Sequence, residues 1–233
     1  MKNIFNNLLS LLGYKLINKS SLIDQFEFVK YYDINTVIDI GASYGETTEM
    51  FYKYLPNANF YAFEPLLEPF NCLRELKNQI ENLQIYNCGL GDFQGTIEIN
   101  VNEYSASSSI HKLGSLHKQM YPEFKEDKVE EIIINKLDSI FDKEKFHKEL
   151  LVFIGCNGFE NEVIEGGKAT FLKAKIVIVK LAFTTMYENQ PLFNDIYIKL
   201  VELGFKFQGI LREGKRHPST NTLVLIDAIF IRD

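Results

Sequence analysis

The sequence predicts an α/β domain, a mainly parallel β-sheet with helices on both faces and an antiparallel hairpin of the last two strands at one edge. Three observations carry this. Runs such as TVIDI (36–40), LLVFIG (150–155) and KIVIVKLAF (175–183) are short and almost wholly apolar, the pattern of strands buried on both faces. Amphipathic stretches of helical length separate most of them. The last two runs, FKFQGIL (205–211) and NTLVLIDAIFIR (221–232), have no helical stretch between them, so they pair directly.

In chain order, residues 21–33 read as a helix, 36–40 as a strand, 45–55 as a helix, 59–64 as a strand, 65–80 as a helix and 83–90 as a strand. Residues 95–101 and 129–137 are strand-like, and between them lies a long polar segment, 102–128, without regular periodicity. Its length suits a lid or binding loop. The strand at 150–155 is followed by a helix over 158–171, the strand at 175–183 by a helix over 191–204, and two strands close the chain. At the start, Ile4, Phe5, Leu8, Leu11 and Leu12 fall on one helical face. Residues 1–35 are therefore expected to form a helical cap packed on a domain spanning 36–233, with a membrane-surface contact or a homodimer contact as the other uses of that face.

The bulk numbers exclude several classes. The 233 residues carry a net charge of −6, which gives a nucleic-acid partner no electrostatic support at the level of the whole chain. The cysteines are three in number, Cys72, Cys88 and Cys156, with no C-x-x-C pair. That argues against a disulfide framework or a structural zinc site, and for a cytoplasmic protein. No apolar run approaches the roughly 20 residues of a transmembrane helix.

Chemistry concentrates where strands end. Gly41-Ala-Ser-Tyr-Gly45 follows a strand and opens a helix. Gly41 permits a sharp bend and close ligand approach, and a helix start at Gly45 favours an anionic group. The spacing is not G-x-G-x-x-G, which argues against a nicotinamide dinucleotide and its oxidoreductase chemistry. Glu64 ends the second strand, where a carboxylate can accept from both hydroxyls of a ribose; before Pro65 it also suits a helix cap. The third strand ends in NCGLGD (87–92), where Asp92 is a candidate acceptor for an adenine amino group. Three such features on three successive strands point to a nucleoside-type cofactor.

Together TVIDIGASYGETT, FYAFEP, NCGLGD, GFENEVIEGG, YENQPLF and DAIFIR resemble the FkbM family of S-adenosylmethionine-dependent methyltransferases, from about residue 20 to the end. The resemblance implies a Rossmann-like, doubly wound sheet of seven strands. It also implies S-adenosylmethionine as cofactor and O-methyl transfer to a hydroxyl of a sugar, glycan or small metabolite, polysaccharide biosynthesis being one setting. Carried over by position, Asp39, Gly41, Ala42, Ser43 and Gly45 would surround the methionine part. Glu64 would bind the ribose, Leu90, Gly91 and Asp92 would flank the adenine, and Thr47 and Pro65 are further cofactor-binding candidates. The serines of SASSS (105–109), Ser107 among them, match a serine-rich stretch near the cofactor or substrate; by themselves they read as a flexible loop.

The sequence departs from that pattern at the next strand end, where the family has Lys-Ile-Asp-Val-Gln-Gly-Phe-Glu. Phe153 stands in place of the lysine, Gly155 of the aspartate and Cys156 of the valine, and Lys180 replaces a glutamate one strand on. Methyl transfer to an alcohol needs alignment of the oxygen with the methyl carbon and removal of a proton. Gly155 can neither act as a base nor hold a metal. Three explanations compete: the chain uses another base, with Tyr187, Lys180, Glu160 or His111 as the candidates (Glu162 behind them); it holds the cofactor without transferring its methyl group; or these positions carry deliberate changes. Each candidate also has an ordinary reading: a packing tyrosine, a paired lysine, a surface histidine. Tyr104, His111, His117 and Tyr121 of the long loop suit a hydroxylated acceptor.

Overall fold

The structure, a computed structural model, describes residues 24–102, 105–122, 126–141, 149–211 and 214–233. The leucine-rich face at 4–12, most of the expected helical cap and Tyr104 lie outside the described residues.

A 3-10 helix, Asp24–Tyr31, leads into β1 (Thr36–Ile40), α1 (Glu46–Tyr54), β2 (Asn59–Phe63), α2 (Leu67–Lys77), β3 (Leu83–Tyr86) and β4 (Gly89–Leu90). Then follow β5 (Gly95–Asn102), a 3-10 turn at Ser105–Ser107, α3 (Ser115–Met120), β6 (Glu126–Asn135), α4 (Leu137–Phe141) and β7 (Leu150–Ile154). The chain ends with α5 (Glu160–Gly166), α6 (Lys168–Phe171), β8 (Ala174–Ala182), α7 (Phe193–Glu202), β9 (Lys206–Ile210), β10 (Lys215–Arg216) and β11 (Leu223–Ile231).

The main sheet runs β10-β11-β8-β7-β1-β2-β3, with β9 also on β11. β1, β2, β3, β7 and β8 pair in parallel. Alternate residues of each strand face opposite sides, and each side has its own core. Ile38, Ile40, Phe63, Val152, Ile154, Val177 and Val179 pack with Val163, Ile164, Ile196 and Leu200 of α5 and α7. Val37, Phe60, Leu151, Phe153, Ile176 and Ile178 pack with Phe26 and Val29 of the first 3-10 helix and with Phe51, Phe70 and Leu73 of α1 and α2. This two-sided burial is why the strands read as continuous apolar runs.

The last two long strands form the expected antiparallel hairpin at one edge of the main sheet, with β11 on the inside, between β8 and the pair β9 and β10. The buried face of β11, Ile226, Ala228 and Phe230, packs with Ile196 and Leu200 of α7 and with Phe205, whereas β9, KFQGI, is largely exposed and takes the edge. β9 and β10 meet different stretches of β11, Ala228–Ile231 and Leu223–Leu225, so among the described residues the eight strands of this sheet fill seven positions. Residues 95–101 and 129–137 do not join this sheet. β5 and β6 pair antiparallel, with β4 beside β6, as a separate sheet. Ile132 and Ile134 are buried while Ile133 is 55% exposed, a one-sided pattern suited to a sheet that faces solvent. The helix at 158–171 is broken at Gly167 into α5 and α6. The segment 102–128 holds the 3-10 turn and α3, with Leu113 and Leu116 packed on Met186, Tyr187 and Val224.

Candidate functional site

The strand order reverses around β1, which has β2 on one side and β7 on the other. In an open α/β sheet such a switch point leaves a crevice beyond the carboxyl ends of the strands. Here the crevice is a cavity of about 630 Å3 of empty space, open solvent at its mouth included.

Its floor is made by strand tips. Gly41 has φ 75°, and a Cβ there would stand 2.6 Å from the Gly155 carbonyl oxygen; only glycine lets the β1 and β7 tips meet. The amides of Gly41 and Ala42 both donate to the Phe63 carbonyl at 3.0 Å, tying the turn to β2. Ser43 follows with φ 50°. The residue lines the cavity, and its buried hydroxyl has no hydrogen-bond partner among the described residues.

Glu64 stands across the cavity. Its two carboxylate oxygens accept from the backbone amides of Ser43 and Leu66, each at 2.9 Å. The carboxylate thus joins the β1 turn to the start of α2, and each oxygen keeps a further lone pair for a hydroxyl. Burial pushes its pKa up to about 7; the two amides oppose this and Asp39 adds to it. Asn87 holds the same corner, its Nδ2 donating to the carbonyls of Glu64 and Pro65 at 3.0 and 2.9 Å.

The apolar wall consists of Phe63, Leu66, Cys88, Leu90, Ile99, Ile132, Ile134 and Phe159, and the roof of Ala106, Ser108, Ser109 and Ile110. Asn157, beyond β7, joins the roof to the floor. Its Nδ2 donates to the carbonyls of Ala106 and Ser108 at 2.9 and 3.0 Å, and its own carbonyl accepts from the Ser109 hydroxyl at 2.7 Å.

With this geometry in place, the comparisons with known proteins are decisive. The "Methyltransferase FkbM domain" profile matches residues 39–207, from the acid of β1 to β9. The chain belongs to the FkbM methyltransferase domain family.

A curated relative, the 2-O-methyltransferase NoeI of Sinorhizobium fredii, is 23% identical over 161 residues, 66% of each chain. A solved FkbM methyltransferase from Methylobacillus flagellatus superposes with a TM-score of 0.54 at 12% identity, over 85% of this chain and 44% of that one. A precorrin-6y C5,15-methyltransferase from Geobacter metallireducens superposes with a TM-score of 0.50 at 11% identity, over 94% and 91%. At such identities the solved structures bear on the fold alone. The chain spans about two thirds of NoeI and less than half of the M. flagellatus protein.

The family is one of methyltransferases, and its cofactor is S-adenosylmethionine. The residues present fit that molecule: the cavity offers a buried, unpartnered hydroxyl at Ser43, a carboxylate at Glu64, backbone open to close approach at Gly41 and an apolar slot at Cys88, Gly89 and Leu90.

The expected cofactor residues divide into two sets. Gly41, Ser43, Glu64, Pro65 and Leu90 line the cavity; Asp39, Ala42, Gly45, Thr47, Gly91, Asp92 and Ser107 do not. Asp39 faces the other side of β1, where the Thr48 hydroxyl donates to it at 2.6 Å; the partner is Thr48, and Thr47 is not involved. Desolvation pushes Asp39 up to about 6. Ala42 is buried in the second core. Gly45 is packed against α2, where a Cβ would meet Leu76 Cδ2 at 2.7 Å. Gly91 fits between Phe159 and Ile134, and Asp92 is exposed. Ser107 is tied to β5 and to Tyr187: its carbonyl accepts from Tyr187 and from Asn102 Nδ2, and its hydroxyl accepts from Asn102 Nδ2 as well.

None of the four candidate bases lines the cavity. The Tyr187 hydroxyl donates to the Ser107 carbonyl at 3.0 Å, and burial raises its pKa. Glu160 is 2% exposed and accepts from the Gly158 amide at 2.9 Å; burial raises it, opposed among others by the charge of Lys180. Lys180 pairs in register with Asp227 of β11. His111 packs near Phe159, ring centroids 6.1 Å apart, beside Gly158. Sequence reasoning missed Asn87, Asn157 and Thr48. For Asn157 the signal is the Asn-Gly dipeptide, which marks a left-handed turn; Thr48 and Asn87 carry none.

Proposed function

We propose that this chain is an S-adenosylmethionine-dependent O-methyltransferase acting on a hydroxyl of a sugar, glycan or small metabolite. The observation that carries the reading is the convergence of Ser43 and Glu64 on one cavity at the switch point of the sheet. NoeI, named as a 2-O-methyltransferase, supports the choice of oxygen as acceptor atom.

S-adenosylmethionine supplies an electrophilic methyl carbon on a sulfonium. In this reading Gly41 and Ser43 hold the methionine end and Glu64 accepts from the ribose hydroxyls. Cys88, Gly89 and Leu90 cover the adenine, and the roof over Ser108 and Ser109 excludes water. The protein's main task is alignment of the acceptor oxygen. The base is a group from the rim, with Glu160, His111, Lys180 and Tyr187 retained as candidates.

A second reading is a protein that binds the cofactor without transferring its methyl group. Its specific support is the floor of the cavity: the ionisable side chains lining it, among the described residues, are Glu64, Cys88 and Cys156. Glu64 is tied by two amides, and burial raises both thiols. Calorimetric titration with S-adenosylmethionine tests what both readings share; no heat at millimolar ligand sinks both. Labelled methyl transfer to a panel of sugars then separates them. The protein is compared with the Phe153→Lys, Gly155→Asp, Lys180→Glu triple variant; transfer by the starting protein at the variant's rate eliminates the second reading.

A further inference from the structure

We propose that Asn157 is a positioning residue: it latches the serine segment over the cavity, and the latch sets how long a bound nucleoside ligand is retained. The inference rests on the reading of this cavity as the S-adenosylmethionine site.

Three hydrogen bonds define the latch. The Asn157 amide nitrogen donates to the carbonyls of Ala106 and Ser108, and the Ser109 hydroxyl donates to the Asn157 carbonyl. Ser109 Oγ also accepts from the His111 amide at 3.0 Å, which fixes its rotamer. Every residue joined by the three bonds lines the cavity, as do Gly155 and Cys156 just before Asn157. The latch therefore ties the β7 tip directly to the roof.

The other anchors of the segment lie on its far side. Tyr187 and Asn102 hold the Ser107 carbonyl, the Asn102 amide donates to the Ser108 hydroxyl, and Asn100 bridges to Ser109. Those bonds fix the segment to β5 and to the loop after β8. Asn157 supplies the three hydrogen bonds that join the roof to the turn after β7.

The residue type matches the task. Asn157 sits at φ 51°, a region that asparagine tolerates better than most residues. Its short amide supplies two donors, one for each carbonyl. Glycine would tolerate the backbone and lose the donors; aspartate would set a carboxylate against two carbonyl oxygens. Opening the roof means breaking all three bonds at once, a step that gates ligand release as lid opening does in many enzymes.

The test compares the protein with Asn157→Gly, Asn157→Asp and Ser109→Ala. The probe is S-adenosylhomocysteine, the demethylated cofactor. Affinity is measured by calorimetry, dissociation by stopped-flow competition, the roof by hydrogen exchange of amides 106–111, and the fold by thermal melting. Asn157→Gly is expected to keep the melting temperature, because the backbone strain goes with the donors. It should release the ligand about tenfold faster, with little change in association, and speed exchange in the roof with and without ligand. Asn157→Asp should match or exceed it, and Ser109→Ala should fall between. An Asn157→Gly protein that releases the probe at the unsubstituted rate overturns the latch while leaving the cofactor reading intact. A starting protein that binds no probe overturns both.

Discussion

Asp39 and Phe153 are direct register partners on adjacent parallel strands, β1 and β7. Both point into the core on the α1 side, where Phe153 packs against Phe51 at 6.2 Å between ring centroids. One oxygen of the Asp39 carboxylate takes the Thr48 hydroxyl; the other is buried with no partner. Among the described residues no cation stands beside this acid to hold its charge, and desolvation raises its pKa to about 6.

The first prediction concerns pH. A folded pKa above the unfolded value means that the stabilisation is complete below about pH 3.8 and is lost as pH rises through about 6. Asp39→Asn keeps the bond from Thr48 and removes the titration. Its stability relative to the parent should rise between pH 4 and 7, by up to roughly 3 kcal/mol. Denaturant melts at several pH values check this, and parallel curves for the two proteins would refute it.

A lysine beside Asp39 should reverse the shift. In Phe153→Lys the Asp39 carboxyl is expected to fall toward the ordinary carboxylate range, read by NMR titration of its carboxyl carbon. The same change removes a ring from the core, at a cost of about 3 kcal/mol or more.

Glu64 has the same sign of shift, with its midpoint near pH 7. Only the ionised form has both oxygens free of protons for ribose hydroxyls. Affinity for S-adenosylmethionine should therefore increase as pH rises from 6 to 8. Glu64→Gln should bind about tenfold or more weakly and with a flat pH profile; calorimetry across that range decides it.

Tyr187→Phe deletes the bond to the Ser107 carbonyl, which Asn102 also serves. The expected loss is about 1 kcal/mol of stability, with kcat kept within about threefold of the parent. A collapse of kcat with cofactor affinity unchanged would instead make Tyr187 the base.

Gly166→Ala should be among the most damaging small substitutions. A Cβ at this position in α5 would stand 1.8 Å from the Gly91 carbonyl oxygen, so the β4 turn and α5 must separate. A loss of 3 kcal/mol or more is expected in a thermal or denaturant melt.

Much of this protein was legible before any coordinates. The all-apolar runs of β1, β7 and β8 announce a sheet covered on both faces, and the Gly41–Gly45 turn and Glu64 announce a ligand at the strand ends. Illegible were the separate sheet of β5 and β6 and the roles of Asn87 and Asn157. Pairing between strands about 30 residues apart and hydrogen bonds from residue 157 to residue 106 leave no local pattern.

The sequence by itself determined the class of fold and the order of its elements, which are written in local periodicity, and, through the resemblance of its short motifs, the family and its cofactor. Only the tertiary structure decided which residues face the cavity. A strand turns alternate side chains to opposite sides, so Asp39, two residues before Gly41, lies behind the sheet beside Phe153 while Ser43 and Glu64 meet in front of it. Which side holds the ligand depends on how the strands order themselves around β1, and that is settled by packing across the whole chain.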